Sequence, residues 1–568
     1  MNDDLKKNLI TNITSEISDP VEVLFKDNTY KVERNLPIKE FLNEQRIEVR
    51  KKYICSILNN RFRSFNACFR EKSNTLKLVP IHSLAGLECY KQTLTFILFK
   101  ALKDLYPKGF LYIHHSLNKG LYGELELRTA KVTPQVIKQI KLRMQEIIDA
   151  DLPIERKKIN LGEAIELFRK DYPDKVNLLL NSKKHQVSVC RIDNLYDYYY
   201  APLAISTGFI DYFDLVPYQD GFILRAPDYK AAVKKSGPID QPKLFEIYRE
   251  YHKWSRILGV TNIGELNNSI VSGEISDIIK ISEAFHEKKL SIIADEITNH
   301  TKLKIVLIAG PSSSGKTSFA KRLCIHLKVN GLFPIGLSLD NYFLNRSKSP
   351  RDKNGEYDFE HIEALDLELL NENLQDLLNE KNVELPKFDF KTGQRYYDGS
   401  KIRLEEDQIL IIEGIHGLND RLTSSIPDDQ KYKIYVSALT QLNIDNHNRI
   451  PTTDLRLIRR MVRDHHYRSH SAQDTIARWP SVREGEERWI FPFQENADII
   501  FNSSLIYELA VLKRFAEPIL KAFPKTREEY CEIRRLLKFL SYFLDISDTE
   551  VPPTSIIREF IGRSAFEY

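Results

Sequence analysis

At 568 residues the chain is too long for one hydrophobic core, so roughly three to five domains are expected. Hydrophobic residues at 42%, charged residues at 29% and a net charge of +4 are ordinary for a soluble globular protein, and so near a balance neither requires nor excludes nucleic acid. The six cysteines are scattered with no CxxC pair, which argues against a disulfide framework or zinc ribbon. The opening MNDDLKKNLI lacks the apolar core of a secretory signal, and no run approaches the ~20 apolar residues of a membrane span, so a cytoplasmic protein without membrane association is expected.

In chain order, VEVLFKDNTYKV alternates apolar and polar residues around Lys26-Asp27-Asn28 and predicts a hairpin. A short helix over 38–45 and strands over 53–58 and 75–79 complete a small β-rich unit. A helix is expected over 90–106, strands at LYIHH and YGELEL, helices over 134–148 and 161–169, and a buried strand at QVSVCRI. APDYKAAVKKSGPIDQP marks a boundary near 230–240. Residues 241–300 read as helices forming a packing or linker layer. From Lys302 strands and helices alternate, which predicts a parallel sheet with crossover helices. Its strands are LKIVLIAG, PIGLSLD, QILIIEGI and YKIYVSAL. Helices follow over 318–331 and 365–378, and after about 510 the chain is helical with a short tail.

One loop in that alternation carries chemistry. Gly310, Pro311, Ser312, Ser313, Ser314, Gly315, Lys316 and Thr317 match G-x-x-x-x-G-K-[ST] between an apolar strand and an amphipathic helix that begins near Ser318. Small residues let successive N–H groups turn toward phosphates; Lys316 would reach the β/γ oxygens and Thr317 would ligate Mg²⁺. ATP and Mg²⁺ are the cofactors this implies. Phosphoryl transfer also needs a metal-positioning acid and a proton acceptor, and Asp340 and Glu413 stand at the ends of apolar strands, where ligands bind in open α/β sheets. Arg456, Arg459, Arg460, Arg463, His465, His466, Arg468 and His470 form a basic stretch. It reads as a solvated helix face, a nucleic-acid patch, or a lid whose arginines close on the transferring phosphoryl group.

These segments carry a resemblance. GPSSSGKT, LSLDNYF, DFEHIEALD with PKFDFKTGQR, EGIHGL, RLIRRMVRDHHYR and ENADIIFNSS occur in the order seen in the uridine kinase branch of the uridine kinase/phosphoribulokinase family. The resemblance implies an α/β P-loop kinase over 301–510, with helices on both faces of its sheet, phosphorylating a nucleoside 5′-hydroxyl in pyrimidine salvage. It makes Asp340 the general base, Thr317 and Glu413 the Mg²⁺ residues, and Arg460, Arg463 and Arg468 lid residues that act with Lys316. Where the family has an Asp on the ribose hydroxyls this chain has Glu360, and where it has a stacking Tyr it has Phe388. Its base-reading His is Gly393 here, Arg395 is kept, and its last lid arginine is His470. The implied acceptor site thus comprises Asp340, Glu360, Phe388, Arg395 and Arg463.

The front half has its own resemblances: residues 1–80 to the β-grasp TGS domain of threonyl-tRNA synthetases, and 81–235 to their α+β second domain, which edits mischarged tRNA. DYYYAPLAISTGFI carries the second. The editing Cys and His of that segment fall on Tyr199 and Leu203, and the two helical histidines on Tyr90 and Leu94, so a binding or scaffolding module is expected. His114 and His115 read as structural. Residues 236–300 would be a helical connector and 511–568 a helical end. Two other functions stay open: a kinase of another small hydroxylated acceptor, such as a sugar phosphate or vitamin precursor, and an RNA- or ribosome-binding regulator with a nucleotide-switch domain. The partners implied are ATP, a nucleoside-like molecule and an RNA or regulatory ligand for the front half, with oligomerisation open.

Overall fold

The computed structural model describes residues 19–568 apart from 118, 129, 229–239, 352–354, 356, 390 and 468–470. The expected boundary near 230–240 therefore falls almost wholly outside the described residues.

Strands Val21–Phe25 and Asn28–Val32 form the anticipated hairpin, its two-residue turn made possible by positive φ at Lys26 and Asp27. The first strand also pairs in parallel with Ser73–Pro80, which pairs antiparallel with Tyr53–Leu58, giving a mixed five-stranded sheet. Its alternating burial places Val21, Val23 and Phe25 on helix Ile38–Glu44. Helix Leu84–Leu105 follows. It shares a core with helix Pro134–Asp149 and with the four-stranded sheet built from Phe110–Leu117, Gly120–Glu126, Asp214–Tyr218 and Gly221–Arg225.

The carboxyl-terminal half holds a parallel sheet of β1 (Ile305–Ala309), β2 (Phe333–Ser338), β3 (Gln408–Glu413), β4 (Lys431–Ser437) and β5 (Ile499–Asn502), in the order β2-β3-β1-β4-β5. This is the P-loop kinase fold. Every residue of β1 is buried, as a strand covered on both faces requires. Val306 and Ile308 enter the core shared with α1 (Lys316–Val329) and α3 (Thr452–Tyr467). Ile305 and Leu307 meet Leu370, Leu374 and Leu377 of α2 (Leu367–Leu378) on the opposite face. Helix α4 (Ala472–Trp489) follows α3, capped by a reciprocal Ser471–Asp474 box. β5, within ENADIIFNSS, is a strand that periodicity alone does not single out.

Three helices, Pro242–Ile257, Ile263–Ser272 and Ile275–Asn299, lie over 242–299. The long one, Ile275–Asn299, lies along α1, where Arg322 reaches Glu287 at 2.8 Å. A buried polar cluster joins the two halves: Lys175 Nζ lies 2.9 Å from Asp197 and 3.1 Å from Asp445, and His447 Nδ1 is 2.7 Å from Asp197. Among the described residues no helix is long and apolar enough to cross a membrane, and all six cysteines are free thiols.

Candidate active site

The parallel register brings three strand ends together. Glu413, the last residue of β3, pairs with Ser338 of β2 on one side and Ile308 of β1 on the other. Residues 310–315 leave β1 beside it. Asp340 lies two residues past the end of β2, in the short 3-10 turn Leu339–Tyr342, and its N–H donates to the Ser338 hydroxyl at 3.3 Å. The sequence pattern had extended the strand to Asp340; the turn instead lifts the carboxylate beyond the sheet edge.

The loop is strained in the manner phosphate cradles require. Ser313 has φ 59° and Gly315 φ 85°, and a β-carbon at 315 would lie 2.6 Å from Ile556. The hydroxyl groups of Ser313 and Ser314 are buried and have no hydrogen-bond partner among the described residues, so the loop holds donors still open to an acceptor. Thr317 donates to Glu413, 3.1 Å from each carboxylate oxygen. A hydroxyl and a carboxylate converging in this way are the hard oxygen donors that suit Mg²⁺. Burial, with repulsion from Asp340 and Glu559, pushes Glu413 up to about 7 against the opposing pull of Lys316. Burial likewise lowers Lys316, whose ammonium donates to the Pro311 carbonyl at 3.3 Å while Glu413, Asp340 and Glu559 favour its charge. Glu360 is pushed up to about 7 by burial and by Glu486, and it also feels Arg460, Lys316 and Asp340. Its carboxyl therefore belongs to the same field as the cradle.

The basic stretch divides into two groups. Arg456 and Arg459 are fully buried in α3 and pin the loop from below, which departs from the lid reading of the whole stretch. Arg456 forms a two-point pair with Glu486 of α4 and donates to the Ser312 carbonyl at 3.1 Å; Glu486 in turn accepts from the Ser312 N–H at 3.0 Å. Arg459 holds Glu508, the Ser503 carbonyl and the Ser313 carbonyl. Arg460 reaches the Ser312 hydroxyl at 3.0 Å, and Arg463 pairs with Asp464 at 3.0 Å with Glu559 at 4.0 Å. These two face the loop. Arg468 and His470 lie outside the described residues.

Of the residues expected on the acceptor side, Phe388 sits in the short strand Lys387–Asp389, its ring 5.7 Å from Phe343. Arg395 donates to Asp366 and to the carbonyls of Tyr342 and Phe343, so its guanidinium braces the turn that carries Asp340. Gly393 has φ 69°, and a β-carbon there would lie 2.8 Å from Arg346 Nε, so Arg346 fills the space a side chain at 393 would take.

Three contributors were missed by sequence reasoning: Glu486, Arg346 and the end of the chain. Residues 559–568, within the segment expected to be helical with a short tail, return to the loop. Glu559 accepts from the Ser318 hydroxyl at 2.6 Å and its N–H at 3.4 Å, and the Tyr568 hydroxyl lies 2.9 Å from Ser318. No local pattern announces these contacts, because they span 241 and 250 residues. In the front half, Tyr90, Tyr199 and Leu203 are buried beside Leu94 in the core, and the Tyr90 hydroxyl donates to the Tyr212 carbonyl at 2.6 Å.

Residues 305–507 match the model of the phosphoribulokinase / uridine kinase family. The uridine kinase of Macrococcus caseolyticus is 32% identical over 201 residues, 35% of this chain and 88% of that protein. That of Bacillus pumilus is 32% identical over 201 residues, covering 35% and 86%. A solved structure described as a possible uridine kinase from Bacillus stearothermophilus is 20% identical, with a TM-score of 0.24 over 35% of this chain and 89% of that one.

Proposed function

Because the chain belongs to the phosphoribulokinase / uridine kinase family through residues 305–507, we propose that it transfers the γ-phosphoryl group of ATP to the 5′-hydroxyl of a nucleoside, uridine or cytidine. The observation that carries this reading is the convergence of Lys316, Thr317, Glu413 and Asp340 at the carboxyl ends of the strands. Residues 310–318 bind the triphosphate through N–H groups and the Lys316 ammonium. Thr317 and Glu413 would hold Mg²⁺, which would supply charge neutralisation on the triphosphate. Asp340 takes the proton of the attacking hydroxyl as the new O–P bond forms and the β,γ-bridging bond breaks, the electron pair leaving on ADP. Arg460 and Arg463 stabilise the charge that spreads over the transferring group, and Arg468 joins them in this reading. Glu360, Phe388 and Arg395 form the acceptor side: Glu360 toward the sugar, Phe388 stacking on the base, and Arg395 holding the Asp340 turn.

One observation favours a second reading, another small hydroxylated acceptor. Arg346 occupies the space beside Gly393 where the family's base-reading imidazole would stand, and a guanidinium there suits an anionic acceptor such as a sugar phosphate. Radiolabelled ATP with a panel of nucleosides and sugar phosphates separates the two. Label in a nucleoside monophosphate supports the first, and transfer to no nucleoside removes it. Asp340→Asn should then lower kcat by about 10²–10⁴-fold while ATP still binds.

For the front half we propose a TGS-like β-grasp unit over 1–80 and a synthetase-like module over 81–235 that binds or scaffolds without editing. The helix-backed mixed sheet supports the first, and the burial of Tyr90 and Tyr199 in the core supports the second. Residues 236–300 then serve as connector, 301–510 as kinase and 511–568 as a closing segment. Location in the cytoplasm follows from the same reading.

A further inference from the structure

Outside the kinase site, the sheet of the second unit carries a cluster of different chemistry. Strands Phe110–Leu117 and Gly120–Glu126 pair with Ile113 opposite Gly123 and His115 opposite Tyr122, so His114 is the extra residue of a β-bulge. Such a bulge re-aims a side chain that regular pairing would have placed elsewhere. Glu124 pairs with Tyr112, two residues from His114, and shares that face of the sheet. Helix Pro242–Ile257 crosses above. Tyr248 stacks on His115 with ring centroids 3.6 Å apart, and one turn later His252 lies over His114 at 4.4 Å.

One donor atom from each of His114, Glu124 and His252 falls within 4.8 Å of the other two. His114 is 7% exposed, and its Nε2 has no hydrogen-bond partner although it lies 3.5 Å from Glu124 Oε2. Metal–ligand bonds of about 2.0–2.1 Å in a tetrahedron place donor atoms ~3.3 Å apart, so this pair is already near ligand spacing. Glu124 Oε1 accepts from the Tyr122 hydroxyl at 3.1 Å, an outer contact that orients the carboxylate and leaves Oε2 for the cluster. On the open side lies a cavity of about 490 Å³ lined by Asp220, Arg249, Lys253 and Arg256 among others. Two imidazoles and one carboxylate with an open fourth position are the ligand set of Zn²⁺ and related first-row ions in sites that bind an exogenous ligand.

We propose that His114, Glu124 and His252 bind one divalent transition-metal ion, whose fourth position opens onto this cavity toward a water or an oxyanion. The basic residues lining the cavity complement such an anionic ligand. Arg256 lies 3.9 Å from Glu124 Oε2 and competes for the same oxygen, so it weakens the site and does not build it.

The test uses the tag-free full chain, stripped with chelator and titrated with Co²⁺, with Zn²⁺ as competitor. Saturation at one equivalent, with visible bands typical of tetrahedral Co²⁺ that Zn²⁺ abolishes, is expected. His252→Ala and Glu124→Gln, both at partly exposed positions, should each weaken binding about 100-fold or more, since a lost ligand costs more than the ~10–100-fold of a lost outer contact. Arg256→Gln should tighten it. Phosphotransfer should be unchanged in His252→Ala, because this cluster belongs to another unit. No saturable Co²⁺ band, or equal affinity in His252→Ala (as would arise from His465 and His466), overturns the proposal.

Discussion

Arg456→Met tests whether the phosphate loop is held by a buried ion pair. Arg456 is 1% exposed and Glu486 is fully buried; the pair is two-pronged, with one contact at 2.7 Å, and both partners also bind the backbone of Ser312. Removing the guanidinium strands a charge in the interior, which costs about 3–5 kcal/mol. Glu486→Gln strands the opposite charge and should cost a similar amount. The double variant Arg456→Met/Glu486→Leu leaves no buried charge, so its stability should return to within about 1–2 kcal/mol of the parent. A coupling of at least ~3 kcal/mol between the two sites follows. Urea unfolding followed by tryptophan fluorescence measures it, since Trp479 and Trp489 both lie in α4 and Arg456 stacks 5.4 Å from Trp479. The double variant still lacks both anchors of Ser312. Its KM for ATP should therefore stay about 10-fold or more above the parent, each main-chain hydrogen bond being worth ~1 kcal/mol. Single losses below ~1 kcal/mol, or a double variant whose loss is the sum of the two, would refute the pinning role.

The Glu413 carboxyl, pushed up to about 7, makes the metal-free fold bind a proton more tightly than the unfolded chain does. The charged form therefore costs stability above pH 7, and the cost is relieved as pH falls toward the ordinary carboxylate range. Discounted for partial exposure, it amounts to ~1–3 kcal/mol. Glu413→Gln should melt about 1–3 °C higher than the parent at pH 8 and equal to it near pH 5, while Mg·ATP turnover falls at least ~100-fold; equal melting at pH 8 would remove the buried-charge argument. Glu559→Gln should lower the KM for ATP by about 5–30-fold, because a carboxylate on the Ser318 N–H repels the incoming phosphates by ~1–2 kcal/mol in a partly shielded site; a raised KM would instead make Glu559 a supporting group. Gly393→Ala meets Arg346 at 2.8 Å and needs a left-handed backbone, so it should cost ~1–3 kcal/mol of stability and raise the acceptor KM more than the ATP KM. Equal changes in both constants would detach Arg346 from the acceptor pocket.

Much of the kinase half was legible because its signals are local. A fully buried strand, the loop from Gly310 to Thr317 and the start of α1 are contiguous, and their chemistry follows from residue type and spacing. The alternation of apolar strands and helices likewise implied a parallel sheet before any contact was known. Asp340 shows the limit of such reading: the apolar pattern runs the strand up to it, whereas β2 ends at Ser338 and the turn that frees Asp340 from the strand depends on Arg395 and Asp366, far along the chain. The basic stretch shows another. Spacing put eight cationic or imidazole groups together, but only the packing of α3 against α4 separates Arg456 and Arg459, buried pins, from Arg460 and Arg463, which face the loop.

The sequence by itself determined the Gly310–Thr317 loop, the placing of Asp340 and Glu413 near the ends of apolar strands and the parallel sheet that carries them, because a backbone loop and the strands flanking it are specified by residues a few positions apart. Only the tertiary structure decided what surrounds them. Glu559 and Tyr568 reach Ser318 across more than two hundred residues, Glu486 braces Ser312 from α4, and His252 comes down on His114 from a separate helix. Such contacts depend on where distant elements pack once their apolar faces are buried, and no periodicity within a single segment records that outcome.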